Sequence, residues 1–206
     1  MIVIVDYKMG NIASIRNMLR KVGGESIITS DPDQIASAQK LILPGVGAFD
    51  AGMTHISQMG LLEPLNHAAT VRKAPVLGIC LGMQLLTASS EEGSLGGLGW
   101  IDGRTIRFQP SRMAAGLKIP HMGWNSVQVK DSSSLFRNLD DEAAFYFVHS
   151  YHVVCGDEFV LATAHHGYDF VCAVRKGNVF GTQFHPEKSH RYGMQVLRNF
   201  AELDVC

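Results

Sequence analysis

An excess of charge of one sign, closely spaced cysteines, long apolar runs and low-complexity tracts are all missing from this chain. Its 206 residues carry 18 lysines and arginines against 19 aspartates and glutamates, a net charge of -1. Nothing electrostatic therefore points to nucleic acid or an acidic membrane surface as partner, and recognition has to come from a local site. The four cysteines, Cys80, Cys155, Cys172 and Cys206, are scattered without CxxC spacing. That argues against a disulfide framework or zinc site and for a reducing, cytoplasmic setting. No apolar run reaches membrane-spanning length, and Met1 leads straight into Ile2-Val3-Ile4-Val5 without signal-peptide features, so neither export nor membrane insertion is expected. No repeat or linker divides the sequence, and its length suits one domain over 1–206.

What is present is an alternation of short apolar runs and amphipathic stretches. Ile2 to Val5 predicts a buried strand, and Asn11 to Val22, with Ile12, Ile15, Met18, Leu19 and Val22 on one face, predicts a helix ended by Gly23-Gly24. Ser26 to Thr29 and Lys40 to Leu43 read as strands, with a short helix starting at Asp31-Pro32 between them. Helices are expected over Gly52 to Met59 and Leu62 to Lys73, then a strand over Val76 to Ile79 and a helix over Leu81 to Thr87. This alternation predicts an α/β fold, a mostly parallel central sheet flanked by helices, with ligands at the carboxyl ends of its strands. Beyond it the pattern becomes mainly β: Arg104 to Phe108, Ser126 to Val129, Ala144 to Val148, Val160 to Ala164, Phe170 to Arg175 and Val179 to Phe184. Gly177-Asn178 reads as a hairpin turn between the last two, and a final helix is expected from Ser189 to Leu203. The glycine-rich segment Gly93 to Gly99 reads as a flexible loop over the site.

The chemistry concentrates at Gly78-Ile79-Cys80-Leu81-Gly82, where a buried strand runs into a helix. This is a nucleophile elbow with cysteine in the serine position: flanking small residues let a sharp turn lift the side chain clear of the sheet. Cys80 at a helix start favours the thiolate, and the Leu81 amide is free to bind a developing oxyanion. A base is then required. Phe184-His185-Pro186-Glu187 offers one: if the chain stays extended through Pro186, the two-residue period puts His185 and Glu187 on one side, as base and orienting carboxylate.

These residues resemble the class I, triad-type glutamine amidotransferases, over nearly the whole chain. Asp6 to Asn11, Pro44 to Phe49, Pro120-His121-Met122-Gly123-Trp124-Asn125, Tyr146 to Tyr151 and Phe184 to Ser189 are similar to one branch of that family. Its members are the glutaminase subunits of imidazole glycerol phosphate synthases. The resemblance implies that Cys80 attacks the side-chain amide of L-glutamine, that His185 passes a proton to departing ammonia while Glu187 orients it, and that water hydrolyses the glutamyl thioester. It implies oxyanion donors at Leu81 and in the Gly45-Val46-Gly47 turn, at Val46 and Gly47, where a peptide flip aims the second amide. Gln84 and Glu92 match positions that hold glutamine, with Glu92 facing its α-ammonium, and His149, Ser150 and Tyr151 match the rest of that pocket. His121, Trp124, Asn125, Tyr146 and Lys188 match a face that docks on a (βα)8-barrel synthase subunit in a heterodimer, to which ammonia passes. No cofactor or metal is implied.

Lys8 stands where the family usually has glycine, which an ordinary negative φ would accommodate. It leaves open a paralogous glutaminase feeding another synthase, such as one that amidates sugars for surface polysaccharide. A stand-alone cysteine hydrolase would use the same elbow and base, and a silent interaction subunit would have lost the triad. The pairs His149/His152 and His165/His166 are tempting metal ligands, but in a strand residues three apart or adjacent face opposite ways. Neither Gly45 to Gly47 nor Gly93 to Gly99 has phosphate-loop spacing.

Overall fold

The structure is a computed structural model that describes residues 1–114 and 116–204; Cys206 and the last residues of the expected 1–206 domain lie outside it. Strand β1 (Ile2–Val5) lies in the parallel part of a sheet with β2 (Ser26–Thr29), β3 (Lys40–Leu43), β4 (Val76–Ile79) and, from much later in the chain, β12 (Val179–Thr182). The order β2-β1-β3-β4-β12 continues antiparallel through β11 (Tyr168–Lys176), β10 (Val160–His166) and β7 (Gln128–Val129). Two further strands, β5 (Gly103–Arg107) and β9 (Tyr151–Cys155), pair with each other, and β9 pairs with β11. The expected α/β sheet is present, with its later strands built antiparallel onto the same sheet. A separate ribbon pairs β6 (His121–Ser126) with β8 (Ala144–His149).

Both faces of the parallel half are covered. In β1, Ile2 and Ile4 join one apolar cluster while Val3 and Val5 join the other, because side chains alternate along a strand. The first cluster packs under α1 (Ile12–Lys21) and α6 (His190–Ala201), with Phe145 stacked on Phe184 at 4.0 Å between ring centres. The second packs under α2 (Pro32–Ala36), α3 (Phe49–Gln58), α4 (Leu62–Asn66), which runs on as a π-helical turn over His67–Val71, and α5 (Leu81–Leu85). Local capping explains some ends: the Asn11 carboxamide oxygen accepts from the Ser14 amide, and the Asp31 carboxylate accepts from Asp33 and Gln34. No helix among the described residues is long and apolar enough to cross a membrane.

Several expectations are corrected. Helix α3 begins at Phe49 and not Gly52, because its first amide donates to Glu92 Oε2 at 2.8 Å, a cap supplied from far along the chain. The expected Ser126 to Val129 strand is β7, Gln128–Val129, whereas β6 and β9 were not expected. The Phe184 segment does not stay extended: β12 ends at Thr182 and Pro186–Lys188 form a 3-10 turn. Lys8 has φ +66°, in the left-handed region, where its amide and ammonium both bond the Asp6 carboxylate at 3.0 Å. The Gly93 to Gly99 segment is pinned down. Asp50 accepts from the Ser94 and Leu95 amides, and Gly97 and Leu98 donate to the carbonyls of Ala88 and Leu85.

Candidate active site

The elbow is built at the carboxyl end of β4. Cys80 sits at φ 54°, ψ -108°, a conformation that costs about 1–3 kcal/mol for a residue with a Cβ. It is held there by its amide donating to Thr182 O at 2.7 Å and by its carbonyl accepting from the Gln84 amide at 3.2 Å. Both flanking glycines are compulsory. A Cβ on Gly82 would lie 1.8 Å from Leu43 O, and one on Gly78 would lie 2.6 Å from Gly82 O. The sharp turn therefore follows from the absence of side chains on either side of the cysteine.

His185 arrives from the end of β12 and Glu187 from the turn after it. His185 Nδ1 lies 2.8 Å from Glu187 Oε1, with the two side chains 1% and 2% exposed. The 3-10 turn brings them together where an extended chain was expected to. Burial works against the imidazolium, but the Cys80 sulfur and the Glu187 carboxylate outweigh it and push His185 up to about 10. The other ring nitrogen, Nε2, is buried with no hydrogen-bond partner, so it is the nitrogen free for proton transfer. The segment is anchored to β8: His185 donates its amide to Tyr146 O, and the Tyr146 amide donates to Ser189 Oγ.

A cavity of about 270 Å³ opens at this point. Its lining takes in Cys80, His185, Val46, Gly47, Leu81, Gln84, Glu92 and the segment His149-Ser150-Tyr151. With Pro120, which also lines it, the cavity brings together residues from six separate stretches of sequence. Glu92 is fixed by the Phe49 amide. The Gln84 side chain is 5% exposed, and its amide nitrogen donates to Tyr151 O and to Gln183 Oε1, both at 3.1 Å. Only its oxygen remains for a ligand.

The expected oxyanion donors are not both free. The Leu81 amide points at the Gly45 carbonyl, 3.4 Å away. Gly45 has no room for a side chain, since a Cβ would lie 2.7 Å from both Leu81 Cβ and the Tyr7 hydroxyl oxygen. Tyr7 is fully buried and donates its hydroxyl to Pro44 O, locking the base of this turn. Val46, by contrast, is 49% exposed and Gly47 has φ +127°.

Of the residues matched to a docking face, β6 turns His121 inward and Trp124 outward, with Met122 outward beside it, by the two-residue period of a strand. Met122 is 63% and Trp124 49% exposed, Trp124 stacking on His190 with 5.2 Å between ring centres. Tyr146 is half-buried with Lys188 Nζ 5.5 Å from its ring centre, and Asn125 is half-buried. His121 is buried, so it does not belong to the outer surface.

His149 and His152 lie on separate strands, on either side of Ser150, and both pack on Phe108, at 5.2 and 4.8 Å between ring centres. They are not the two ends of one strand as expected. His166 turns inward against His121 while His165 turns out to Asp169. Among the described residues no group of three or more His, Cys, Asp or Glu is placed to hold a metal ion. Sequence reasoning missed Gln183, wholly buried, whose Nε2 lies 3.7 Å from Cys80 Sγ. A polar residue inside an apolar strand end, one position before the Phe-His-Pro-Glu segment, was the available signal.

The family model described as glutamine amidotransferase class-I matches residues 3–203. Imidazole glycerol phosphate synthase subunit HisH 2 of Methanococcus maripaludis is 52% identical over 201 residues, covering 97% of this chain and 98% of its own. The protein of the same name from Pseudomonas aeruginosa is 47% identical, covering 98% of this chain and all of its own. Campylobacter jejuni contributes a subunit HisH 1 at 43% identity with the same coverage. Each of these relatives is named as a subunit, one part of a larger synthase. Among solved structures, PurLQS from Thermotoga maritima superposes with a TM-score of 0.73 at 19% identity, covering 97% of this chain and 96% of that one. A glutamine amidotransferase superposes at 0.66 and 21%, covering 95% and 98%; at these identities the likeness is one of fold. By its elbow, by the family match over residues 3–203 and by relatives up to 52% identical, the chain belongs to the class-I glutamine amidotransferases.

Proposed function

We propose that the chain, as one glutamine amidotransferase domain, is a cytoplasmic glutaminase subunit. It hydrolyses L-glutamine at Cys80 and passes ammonia to a (βα)8-barrel synthase subunit that makes imidazole glycerol phosphate in histidine biosynthesis. The observation that carries the reading is the single cavity in which Cys80, His185, Gln84, Glu92 and the His149 to Tyr151 segment meet. Glutamine enters with its α-ammonium toward Glu92. The Cys80 sulfur attacks the amide carbon, and the Leu81 amide donates a hydrogen bond to the developing oxyanion. The C–N bond breaks as His185 Nε2 gives its proton to the leaving ammonia, which forms the thioester. Water then adds, His185 takes a proton from it, the C–S bond breaks and glutamate leaves. Glu187 keeps Nε2 aimed at the reacting atoms throughout.

In the present conformation the Gly45 carbonyl occupies the Leu81 amide, so the oxyanion site is closed. Rotation of the Gly45–Val46 peptide would withdraw that oxygen and turn the Val46 N–H inward in its place. One movement exchanges an acceptor for a donor. Activity is therefore expected to be low for the chain alone and to rise when a partner holding its ligand favours the turned peptide. The outward Met122 and Trp124, with Tyr146 and Lys188 beside them, supply the docking face.

A second reading rests on the numbered names HisH 1 and HisH 2 among the relatives, which fit several glutaminases serving different synthases in one cell. The test is glutamate release from glutamine by the chain alone, then with an imidazole glycerol phosphate synthase barrel subunit and its ligand, with Cys80→Ala as blank. Strong stimulation that disappears in the blank supports the proposal. Cys80-dependent release that ignores the barrel overturns the partner and favours the second reading.

A further inference from the structure

Two rows of hydrogen bonds, one from the outer strand β6 and one leading to the Cys80 sulfur, meet at Tyr151 O, and their directions follow from backbone carbonyls that can only accept. The first is His165 O, 2.8 Å from the Asn125 carboxamide nitrogen. That contact identifies Nδ2, whose second hydrogen points at His121 Nε2, 3.2 Å away. His121 Nε2 must then be bare and its Nδ1 protonated, to face His149 Nε2 at 3.1 Å. The second carbonyl, Tyr151 O, reaches the same answer from the other end. It lies 2.7 Å from His149 Nδ1, which must carry a hydrogen, leaving His149 Nε2 bare to accept from His121. Two independent anchors thus agree on the tautomers of both histidines.

Tyr151 O also receives Gln84 Nε2 at 3.1 Å, so its two lone pairs are both used. The other hydrogen of that amide goes to Gln183 Oε1 at 3.1 Å. With its oxygen fixed there, Gln183 must present Nε2 to Cys80 Sγ, at 3.7 Å. Turning the Gln183 amide over would aim an oxygen at the sulfur and set two nitrogens against each other at Gln84. His121, His149, Gln84 and Gln183 are each 5% exposed or less, so water cannot stand in for a lost link.

We propose that Gln183 is a positioning residue for the Cys80 nucleophile, donating to its sulfur, that its orientation is set through Gln84 by Tyr151 O, and that Asn125, His121 and His149 tie the placement of that carbonyl to the docking strand. The proposal deepens the reading of Cys80 as the nucleophile and rests on it. The donated hydrogen bond fixes the sulfur within the cavity, where the Val148 carbonyl is a further neighbour at 4.0 Å. A partner that grips β6 thereby acts on the nucleophile as well as on the Gly45 turn.

The test follows the rate at which iodoacetamide alkylates Cys80 in the full chain, read by peptide mapping so that the other cysteines do not contribute, across a pH series. Gln183→Glu places carboxylate oxygens against the sulfur, and alkylation of Cys80 at neutral pH is expected to slow about tenfold or more. Should that variant fail to fold, Gln183→Met removes the donor at similar volume, with a slowing of about threefold or more expected. Asn125→Asp, at the far end, can only accept. It forces a hydrogen onto His121 Nε2 and sets a bare or charged nitrogen of His149 against Tyr151 O, and alkylation of Cys80 at neutral pH is expected to change about threefold or more. A profile for Gln183→Glu or Gln183→Met that superimposes on wild type overturns the role of Gln183. A superimposable profile for Asn125→Asp overturns the link to the docking strand. Glutamate release measured in parallel separates the two readings: wild-type chain that never hydrolyses glutamine, with or without a barrel subunit, refutes the glutaminase function whatever the alkylation shows.

Discussion

Glu187 Oε1 lies 2.8 Å from His185 Nδ1, and hardly any water reaches either group. Because the pair and the nearby sulfur raise His185 from an ordinary 6.5 to about 10, the folded state holds that proton more tightly than the unfolded chain. The stabilisation is complete below pH 6.5 and is lost as pH rises through about 10. Urea midpoints measured over that range should fall for wild type and fall much less for Glu187→Gln, whose glutaminase kcat/KM should also drop by about 10²–10⁴.

The inner histidines have the opposite sign. Burial lowers His121 and His152 from 6.5 to about 4 and holds His149 well below its usual value, with His166 adding to the effect at His121 and His149. Arg112, whose guanidinium lies 4.1 Å from the ring centre of Tyr168 in β11, lowers His152 further, while Glu91 opposes it. Neutral in the fold but charged when unfolded, they contribute stability above pH 6.5 that is lost as pH falls through about 4. His121→Asn should flatten this acid limb of the urea midpoint curve and leave the alkaline limb unchanged.

Gly45→Ala should affect both stability and catalysis. The added methyl would lie 2.7 Å from Leu81 Cβ and the Tyr7 hydroxyl, so the turn must shift, the urea midpoint falls, and the Gly45–Val46 peptide loses the room in which it turns. On the proposed mechanism kcat in the presence of the partner falls by about 10²–10³, the worth of an oxyanion donor, with KM for glutamine little changed. An unaltered stimulated kcat would rule out a role for that rotation.

Lys8 occupies a left-handed conformation, φ +66°, that glycine adopts freely. Lys8→Gly removes about 1–2 kcal/mol of backbone strain and gives up an exposed ion pair with Asp6, 3.0 Å long, worth little in water. Chemical denaturation should show equal or slightly greater stability. A large loss would mean that the Asp6 contacts, and not the local φ, govern this loop.

The parallel half of the fold was legible because its strands are apolar on both faces and its helices are periodic; β1, β2, β3 and β4 lie where the sequence placed them. The elbow was legible for the same kind of reason, since two glycines around a cysteine at a strand end are needed only where backbones pass closely. What local sequence did not carry was decided at long range. The start of α3 depends on Glu92, β6 is a strand because it pairs with β8, and the pairing of His185 with Glu187 depends on a turn anchored to Tyr146 and Ser189. Gln183 looked like an isolated polar residue, and Gln84 was marked only by its resemblance to a glutamine-holding position. Their mutual contact joins positions far apart in the chain, and no period along the sequence announces it.

The contact between the Leu81 amide and the Gly45 carbonyl makes the resting site its own competitor. The occupant is tethered, so its effective concentration is fixed by the fold, and soluble glutamine does not dilute it. Glutamine that binds both peptide orientations equally shifts nothing, however abundant it is. On the proposed mechanism control therefore falls on maximal velocity and not on saturation: a cell rich in glutamine leaves the idle enzyme idle, and only the arrival of the partner's ligand sets the nitrogen flowing.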